Sequence, residues 1–347
     1  MTRLASATLR DLGIDQDGNP TTPLEIVELD GYLEAGREVV RSAAEELAHT
    51  SRVTVGVVRS ASVRELAPLL AAVTCSIGPA GEATQQRVVP VPDVDAAITR
   101  LREAVTARPR AAVVLAALLR QSVQLDPYAG LAAEAASYST LLGGPEFAGW
   151  LQGRRRRADA TDDDGRRLRV TRTDTSLAVV LDFDERRNAL DARMREDLYQ
   201  ALLVAVVDDA IVRVDLSAEG ETFCSGGDLQ EFGRAPDPAT AFLVRLDRAP
   251  WRLLEAIRER VHVFIDGAAI GAGVEIAAFA GSITATPRAF FALPEVGMGL
   301  LPGAGGTVSI PRRIGRWRAA WLMLTGERID AATARDWGLI DQIVAHD

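Results

Sequence analysis

Two glutamates with almost wholly apolar neighbours are the side chains of this sequence best suited to acid–base chemistry. Glu275 lies between Val274 and Ile276, and Glu295 lies in the apolar stretch 290–301. A carboxylate in such surroundings is costly unless it is paired, hydrogen-bonded or held neutral. The two residues therefore either make structural hydrogen bonds or form an acid–base pair facing one pocket, and their spacing along the chain does not decide between these alternatives.

Two glycine-rich stretches could bring backbone N–H groups to a ligand. The first, residues 221–229 (ETFCSGGDL), has consecutive glycines that permit close approach or a positive φ, although a tight turn capped by Asp228 explains it equally simply. The second, residues 266–275 (DGAAIGAGVE), follows a predicted strand and opens a predicted helix, where N–H groups suit an oxyanion. Its glycines do not have the spacing of a dinucleotide-binding loop.

Alternating strands and helices must position these loops. The patterns predict strands over 177–183, 212–216 and 261–265 and helices over 194–207 and 272–280. Such alternation is typical of an α/β fold in which helices cover a parallel sheet.

The preceding residues divide into two parts. Residues 1–107 read as mixed α/β, with strands predicted over 52–58 and 87–91, a helix over 63–73 and another opened by an N-cap at Asp93. Residues 107–153 read as helical, with Pro109 in a first turn. The highly charged residues 154–167 (RRRRADATDDDGRR) predict a solvated linker. We therefore expect an extension over 1–153, a linker over 154–167 and a core over 168–347.

The overall composition restricts the possible functions. The 347 residues are 48% hydrophobic and 25% charged, which suggests two domains or one large domain with an extension. The net charge of −9 argues against a nucleic-acid partner. The sequence has no lysine, which excludes Schiff-base and phosphate-loop lysine chemistry. The longest aliphatic run, 111–119, is far shorter than the ~20 residues of a membrane span, and the amino terminus has no signal pattern, so we expect no membrane partner and a cytoplasmic protein.

Histidine and cysteine are too few for an obvious metal site. Cys75 and Cys224 fit a reducing compartment, and neither they nor the three histidines have metal-ligand spacing, so we expect no metal. We interpret Cys224 and His262 as packing residues.

Together these stretches resemble the enoyl-CoA hydratase/isomerase (crotonase) superfamily. The resemblance covers about 177–344, half of the chain. Five motifs occur in the family's order: 184–190 (DERRNAL), 221–229, 266–277 (DGAAIGAGVEIA), 294–307 (PEVGMGLLPGAGGT) and 324–344 (LTGERIDAATARDWGLIDQIV). The resemblance implies a crotonase-like ββα spiral core that binds acyl-CoA thioesters and assembles as a trimer or a dimer of trimers.

The resemblance also assigns roles to residues. It places two oxyanion-hole donors at the backbone N–H groups of Gly227 and Ala272, where relatives usually have glycine at the second position. It makes Glu275 the base that directs water to C3 and Glu295 the acid that protonates C2, so retention of both favours hydration or its reverse. No cofactor is implied beyond the coenzyme A of the substrate.

Further substrate contacts follow from the same motifs. The implied CoA- and substrate-binding residues are Arg186, Arg187, Ala189, Ser225, Gly226, Asp228, Leu229, Gly271, Pro294 and Gly303. The two arginines are either phosphate ligands or a solvated pair. We expect the pocket walls to come partly from the amino-terminal part and partly from residues 233–260.

The sequence departs from the family pattern at its carboxyl end, where relatives continue with helices that close the pocket. Residues 107–155 resemble that tail, and we hypothesise that they dock in its place, with residues 1–107 a decayed crotonase-like half; a helical pair that merely looks alike is the alternative. Other functions left open are double-bond isomerisation, C–C bond hydrolysis, cofactor-free oxygenation and a non-catalytic acyl-CoA-binding partner subunit.

Overall fold

A computed structural model describes residues 12–60, 65–79, 87–154 and 165–345. In this part of the chain no helix is long and apolar enough to cross a bilayer. The fold is α/β, as predicted, with three sheets and helices packed between and around them.

The amino-terminal part is built on a parallel four-stranded sheet in the order β1-β2-β3-β4. Its elements are β1 (Leu24–Glu28), α1 (Arg37–His49), β2 (Val53–Val57), α2 (Ala67–Ala72), β3 (Cys75–Pro79), β4 (Val89–Val91) and α3 (Val94–Ala107). Strand β2 is buried at every residue, as its run VTVGV requires in a sheet covered on both faces. The Asp93 carboxylate accepts the N–H groups of Asp95 and Ala96, which confirms the predicted N-cap of α3.

Three helices follow and connect this sheet to the rest of the molecule. They are α4 (Pro109–Ser122), α5 (Pro127–Leu142) and α6 (Pro145–Gln152), each with proline in its first turn. The carboxylate of Glu146 in α6 accepts the N–H groups of Arg110 and Ala111 at 2.7 and 3.1 Å, which satisfies donors at the start of α4. Helix α5 packs against α4 on one side and helices of the carboxyl-terminal half on others.

The carboxyl-terminal half contains the predicted strand–helix alternation. Its elements are β5 (Leu168–Arg172), β6 (Ser176–Leu181), α7 (Ala192–Val207), β7 (Arg213–Ala218), β8 (Thr222–Cys224), α8 (Pro238–Asp247), α9 (Pro250–Ala256), β9 (Val261–Ile265), β10 (Ala268–Ile270), α10 (Ala272–Ala277), β11 (Ser282–Ala285), β12 (Phe290–Ala292), α11 (Gly306–Ile314), α12 (Arg316–Thr325), β13 (Ile329–Asp330), α13 (Ala331–Trp337) and β14 (Gln342–Ile343).

These strands form two sheets, in the orders β14-β11-β9-β7-β6-β5 and β13-β12-β10-β8. Only the β5–β6 and β12–β13 pairs are antiparallel among the described strands. From β7 to β12, successive strands alternate between the two sheets, and helices follow β8, β10 and β12. This is the expected ββα spiral, and it brings the loops after β8 and β10 to one side of the smaller sheet.

Several boundaries differ from the sequence predictions. The helix predicted over 272–280 ends at Ala277, because the Gly281 N–H already donates to Arg258 and Val261 carbonyls where the chain enters β11. Of the helix predicted over 63–73, residues 63 and 64 lie outside the described residues.

The predicted linker 154–167 is only partly described, since residues 155–164 lie outside the described residues. At its far end Arg167 is 6% exposed, where a solvated side chain was expected. Its guanidinium donates to the Asp191 carboxylate at 2.9 Å and lies over the Phe183 ring. The prediction of a solvated side chain at Arg167 is therefore wrong, because a neighbouring carboxylate and an aromatic face compensate its burial.

The two halves share one apolar core. A continuous cluster of buried side chains includes Val53 and Ile77 of the amino-terminal sheet and Leu216 and Val263 of the six-stranded sheet. At a second apolar cluster, the indole N–H of Trp317 in α12 donates to the Leu70 carbonyl at 2.7 Å and also joins the two halves.

Candidate active site

A cavity of about 370 Å³ lies between the carboxyl-terminal half and helix α5. Both predicted glutamates, Glu275 and Glu295, line it, and so do Gly227 and Ala272. Its other walls come from α5, from residues 190–195 and from residues 228–251, and of these α5 and the part after residue 233 agree with the predicted pocket walls. The structure thus brings the two loops and the two carboxyl groups to one cavity.

Glu275 lies in α10 and is 2% exposed. Its Oε2 accepts the N–H groups of Ala304 and Gly306 at 2.7 and 2.8 Å, which orients the carboxyl group. Burial, together with the nearby charges of Glu295 and Glu134, raises the pKa of Glu275 well above its usual value, while these hydrogen bonds oppose the rise. The side chain is therefore fixed in position and binds a proton readily.

Glu295 begins the 3₁₀ turn Glu295–Met298 and is also buried. Its Oε1 approaches Gly271, where φ is +51° and a Cβ would collide with this oxygen. Its Oε2 is buried and accepts no hydrogen bond from the described residues. Burial raises the pKa of Glu295 to about 7, and the charge of Glu134 acts in the same direction. A protonated carboxyl group with one uncommitted oxygen can deliver or receive a proton in the cavity.

A third glutamate, Glu134, was not predicted as a site residue. It lies in α5 and is 1% exposed. Its Oε1 accepts the Gly305 N–H at 2.7 Å, and its Oε2 accepts the Thr307 N–H at 2.8 Å and the Thr307 hydroxyl at 2.7 Å. Burial raises the pKa of Glu134 to about 7 despite these donors. The sequence carried a signal for it, since Glu134 has alanines on both sides in the run LAAEAA.

The loop before α11 is held from both sides by these carboxyl groups. Along residues 304–307 the N–H groups point alternately to Glu275 and to Glu134. A Cβ at Gly306 would lie 2.6 Å from Cγ of Glu275, so this close contact requires glycine. The position of Glu275 therefore depends on a side chain from the amino-terminal half.

The tyrosine one turn after Glu134 forms part of the same wall. Tyr138 is 5% exposed and lines the cavity, and its ring contacts Gly303 so closely that a Cβ there would collide with it. The guanidinium of Arg245, from α8, lies 4.0 Å from the centre of the ring. Arg195 of α7 lines the cavity as well. These three residues are a further addition to the predicted site.

The two predicted N–H donors are available to a ligand. Gly226, with φ of +95°, packs its backbone on the start of α10, where a Cβ at Gly226 would lie 3.9 Å from the nitrogen of Ala272. Neither the Gly227 nor the Ala272 N–H donates to another described residue. Ala272 is the first residue of α10, where a helix leaves its N–H groups unpaired. Both amides can therefore donate to an oxygen atom in the cavity.

The other predicted contacts divide into two groups. Asp228 and Gly303 line the cavity. The remaining predicted residues do not line it; they are Arg186, Arg187, Ala189, Ser225, Gly226, Leu229, Gly271 and Pro294.

Several residues of that second group hold the loops in place. The Ser225 N–H donates to the Arg187 carbonyl, and the Gly271 N–H donates to the Ala292 carbonyl. Arg186 lies 3.9 Å from the Asp228 carboxylate and is partly exposed. These groups build the backbone behind the cavity wall, so a direct substrate contact for them stays a prediction.

Asn188, in the same DERRNAL segment, is fully buried and ties the loops together. Its Oδ1 accepts the Phe183 N–H at 2.8 Å, and its Nδ2 donates to the carbonyls of Glu219 and Thr222 at 2.9 and 2.8 Å.

Burial raises the pKa of the nearby Cys224 thiol to about 12, as suits a packing residue.

Comparison with known proteins agrees with this geometry. The family model for enoyl-CoA hydratase/isomerase matches residues 172–347. The 2,3-dehydroadipyl-CoA hydratase of Escherichia coli (strain K12) is 32% identical over 180 residues, covering 52% of this chain and 70% of that protein. The enoyl-CoA isomerase/hydratase fer4 of Mycosarcoma maydis is 36% identical over 174 residues, covering 48% of this chain and 64% of that protein. This chain thus spans less than two thirds of the fungal protein's length.

A solved enoyl-CoA hydratase from Bacillus anthracis is 30% identical, with a TM-score of 0.48 and coverage of 52% of this chain and 70% of that one. The family match extends over half of the sequence and includes both glutamates and both glycine-rich loops. The chain therefore belongs to the enoyl-CoA hydratase/isomerase family, whose members act on acyl-CoA thioesters.

Proposed function

We propose that this protein is an enoyl-CoA hydratase, which adds water across the 2,3-double bond of an acyl-CoA thioester or removes it in the reverse direction. The observation that carries the proposal is the convergence of Glu275 and Glu295 on one cavity with the free N–H groups of Gly227 and Ala272. Addition of water to a conjugated thioester needs an electron sink at the carbonyl, a base and an acid, and these residues supply all three.

In the proposed mechanism the thioester oxygen lies between the N–H groups of Gly227 and Ala272. Glu275 takes a proton from water as the water oxygen bonds to C3, and the electron pair of the double bond moves toward the thioester oxygen. Glu295 then gives its proton to C2, and the carbonyl is restored. The raised pKa of Glu295, about 7, keeps that proton available near neutral pH, while the two N–H groups that donate to Glu275 favour its ionised form and oppose the effect of burial. Coenzyme A enters only as part of the substrate, and no other cofactor is proposed.

We further propose that helices α4–α6 take the place of the family's carboxyl-terminal tail. Tyr138 and Leu142 of α5 line the cavity, as a pocket-closing element must, and Glu134 of the same helix holds the loop at residues 305–307. The assembly proposed is a homo-oligomer, a trimer or a dimer of trimers, in the cytoplasm.

The test is hydration of crotonyl-CoA, followed by the loss of conjugated-thioester absorbance. Glu275→Gln and Glu295→Gln should each lower kcat by about 10²- to 10⁴-fold, the usual contribution of a general acid or base. Glu103→Gln, at an exposed position of α3, is the control and should leave kcat unchanged. Full activity in both active-site variants would refute the mechanism. Tight acyl-CoA binding without turnover in the unmodified protein would instead indicate a binding subunit.

Double-bond isomerisation is the second candidate, favoured by the uncommitted Oε2 of Glu295. One carboxyl group that moves a proton between C2 and C4 suffices for that reaction, whereas hydration needs both. Glu275→Gln provides the test. If this variant loses hydration but still converts a 3-enoyl-CoA to its 2-enoyl isomer, isomerisation is the main reaction.

A further inference from the structure

Three arginines line the cavity without a role in the proposed mechanism; Arg234 lies in a loop, and the other two lie on helices. Arg245 and Arg195 both line it, from α8 and α7 respectively. Arg245 donates to the Ala241 carbonyl at 3.3 Å and stacks on Tyr138, while its Nε is buried and makes no hydrogen bond to a described residue. Part of this guanidinium is thus removed from water without a hydrogen-bond acceptor.

Neither guanidinium forms a salt bridge of 4.0 Å or less among the described residues, although the charges of Glu231, Glu196 and Asp191 favour the charged form of Arg195 and the charge of Arg245 acts on Glu134. Burial and the charge of Arg245 both lower the pKa of Arg195, so the two cations repel each other. By contrast Arg248, which is the residue that follows α8, forms a salt bridge with Glu196 at 3.2 Å and does not line the cavity. Desolvated like charges are costly without a partner, and an anionic ligand would supply one.

The position of Arg245 indicates where that anion would lie. Contacts run from its guanidinium to the Tyr138 ring, from this ring to Gly303, and from the adjoining Ala304 N–H to Glu275. Part of the surrounding wall is apolar and suits a hydrocarbon chain, with Leu142, Phe232, Val244 and Trp251, whereas Asp228 and Glu231 make another part polar. The two cations therefore stand at the edge of an acyl-sized apolar space that also reaches the carboxyl pair.

We propose that the acyl group of the substrate carries a second carboxylate at its end remote from the thioester, and that Arg245 and Arg195 bind it. This inference rests on the proposed function, because it presumes an acyl-CoA in the cavity. A planar guanidinium binds a carboxylate through two parallel hydrogen bonds, so Arg245 discriminates strongly between a charged and a neutral acyl end.

Binding of saturated thioesters tests the proposal independently of turnover. The dissociation constants of glutaryl-CoA and butyryl-CoA are measured by calorimetry for the unmodified protein, Arg245→Met and the control Arg248→Met. The unmodified protein and the control should prefer glutaryl-CoA by about 10- to 100-fold, the effect of a charged hydrogen bond, and Arg245→Met should lose this preference. Arg245→Lys keeps the positive charge but cannot form two parallel hydrogen bonds to a carboxylate. This variant should therefore retain part of the preference for glutaryl-CoA.

The coenzyme A phosphates are the other anions that these arginines could bind. The same measurement with glutaryl and butyryl thioesters of N-acetylcysteamine, which has no phosphate, separates the two sources. A preference for the glutaryl thioester that persists there and disappears in Arg245→Met supports the proposal. The proposal is overturned if the unmodified protein binds both acyl groups equally. It is also overturned if Arg245→Met weakens binding of the CoA thioesters alone. Absence of hydration alongside a retained glutaryl preference would refute the proposed function instead.

Discussion

Three buried carboxyl groups lie close enough for their charges to interact, and the sequence identified two of them. Glu275 and Glu295 stood out as carboxylates in apolar surroundings, and Glu134 meets the same criterion inside its alanine run. It is not among the predicted site residues, because the resemblance of residues 107–155 to the family's tail assigns no role to an individual side chain. Arg245 gave no comparable signal, because an arginine in an ordinary amphipathic helix is usually solvated. Only the packing of α8 against Tyr138 brings it into the cavity.

Replacement of Glu134 by glutamine should weaken both folding and catalysis. A glutamine side chain has one acceptor oxygen in place of two, so at least one donor among Gly305 and Thr307 loses its partner. We expect the free energy of unfolding to fall by about 1–3 kcal/mol in urea titrations. We also expect kcat to fall, because the loop that orients Glu275 is loosened. Glu103→Gln, which is exposed, should change neither quantity, and a fully stable and active Glu134→Gln protein would contradict this role.

The same carboxyl groups make stability depend on pH. The pKa values of Glu134 and Glu295 are raised to about 7 in the folded protein, against an ordinary value of 4.5, and that of Glu275 is shifted in the same direction. Between these values the folded state binds more protons than the unfolded state. The free energy of unfolding should therefore decrease as pH rises from about 4.5 to about 7.

The measurement is urea unfolding at a series of pH values for the unmodified protein and for Glu295→Gln. The variant lacks one of the protons taken up on folding, so its stability should decrease less steeply over this range. A parallel pH dependence in the two proteins would show that Glu295 titrates near its ordinary value.

At the level of elements, regular sequence patterns predict most of the strands and helices. The differences occur where tertiary contacts determine the bounds of an element or the burial of a side chain. Strand β9 is observed over the predicted residues, and α7 begins two residues before the predicted start, where Asp191 accepts the Met194 N–H. Helices α8 and α9 were not assigned, because their packing against the amino-terminal half has no signature in local periodicity. For the same reason Arg167 was placed in solvent, since its partner Asp191 is distant in sequence.

The amino-terminal cap of α5 provides a test of that helix as part of the site. The Asp126 carboxylate accepts the N–H groups of Tyr128 and Ala129 at 3.0 and 3.2 Å. Asp126→Ala should cost about 0.5–2 kcal/mol of stability, as cap removal usually does. Asp93→Ala, which removes the equivalent cap of α3, should cost a similar amount. Only Asp126→Ala should also lower kcat for crotonyl-CoA hydration, because Glu134 and Tyr138 lie on α5 and not on α3. Equal activity in both variants would contradict this.

At the level of the whole molecule, the amino-terminal half supplies contacts that the carboxyl-terminal half cannot provide itself. Arg108 donates to the Gly297 carbonyl at 3.1 Å, in the turn that begins with Glu295. The Ser122 hydroxyl donates to the Thr307 carbonyl at 3.1 Å, beside the bonds from Glu134. The family motifs therefore describe only part of the candidate site, and the resemblance could not predict how the remainder is built.

Deletion of residues 1–160 should accordingly leave a fragment that is insoluble or monomeric and inactive. The deletion exposes the apolar faces of α11 and α12 and removes the acceptors of the Gly305 and Thr307 N–H groups. Soluble expression, size-exclusion chromatography and the hydration assay together provide the measurement. A soluble fragment with full activity would refute the view that the first half completes the site.

The bonds from Glu134 to the loop before α11 also have a temporal consequence. A ribosome releases α5 before residues 304–307 exist, so the final hydrogen-bond donors to Glu134 have yet to be translated when the helix emerges. Until then that glutamate stays hydrated and ionised, which discourages premature collapse of the helix onto wrong apolar surfaces. The arrangement around Glu275 can therefore form only after residues 304–307 have been synthesised and have packed against α5.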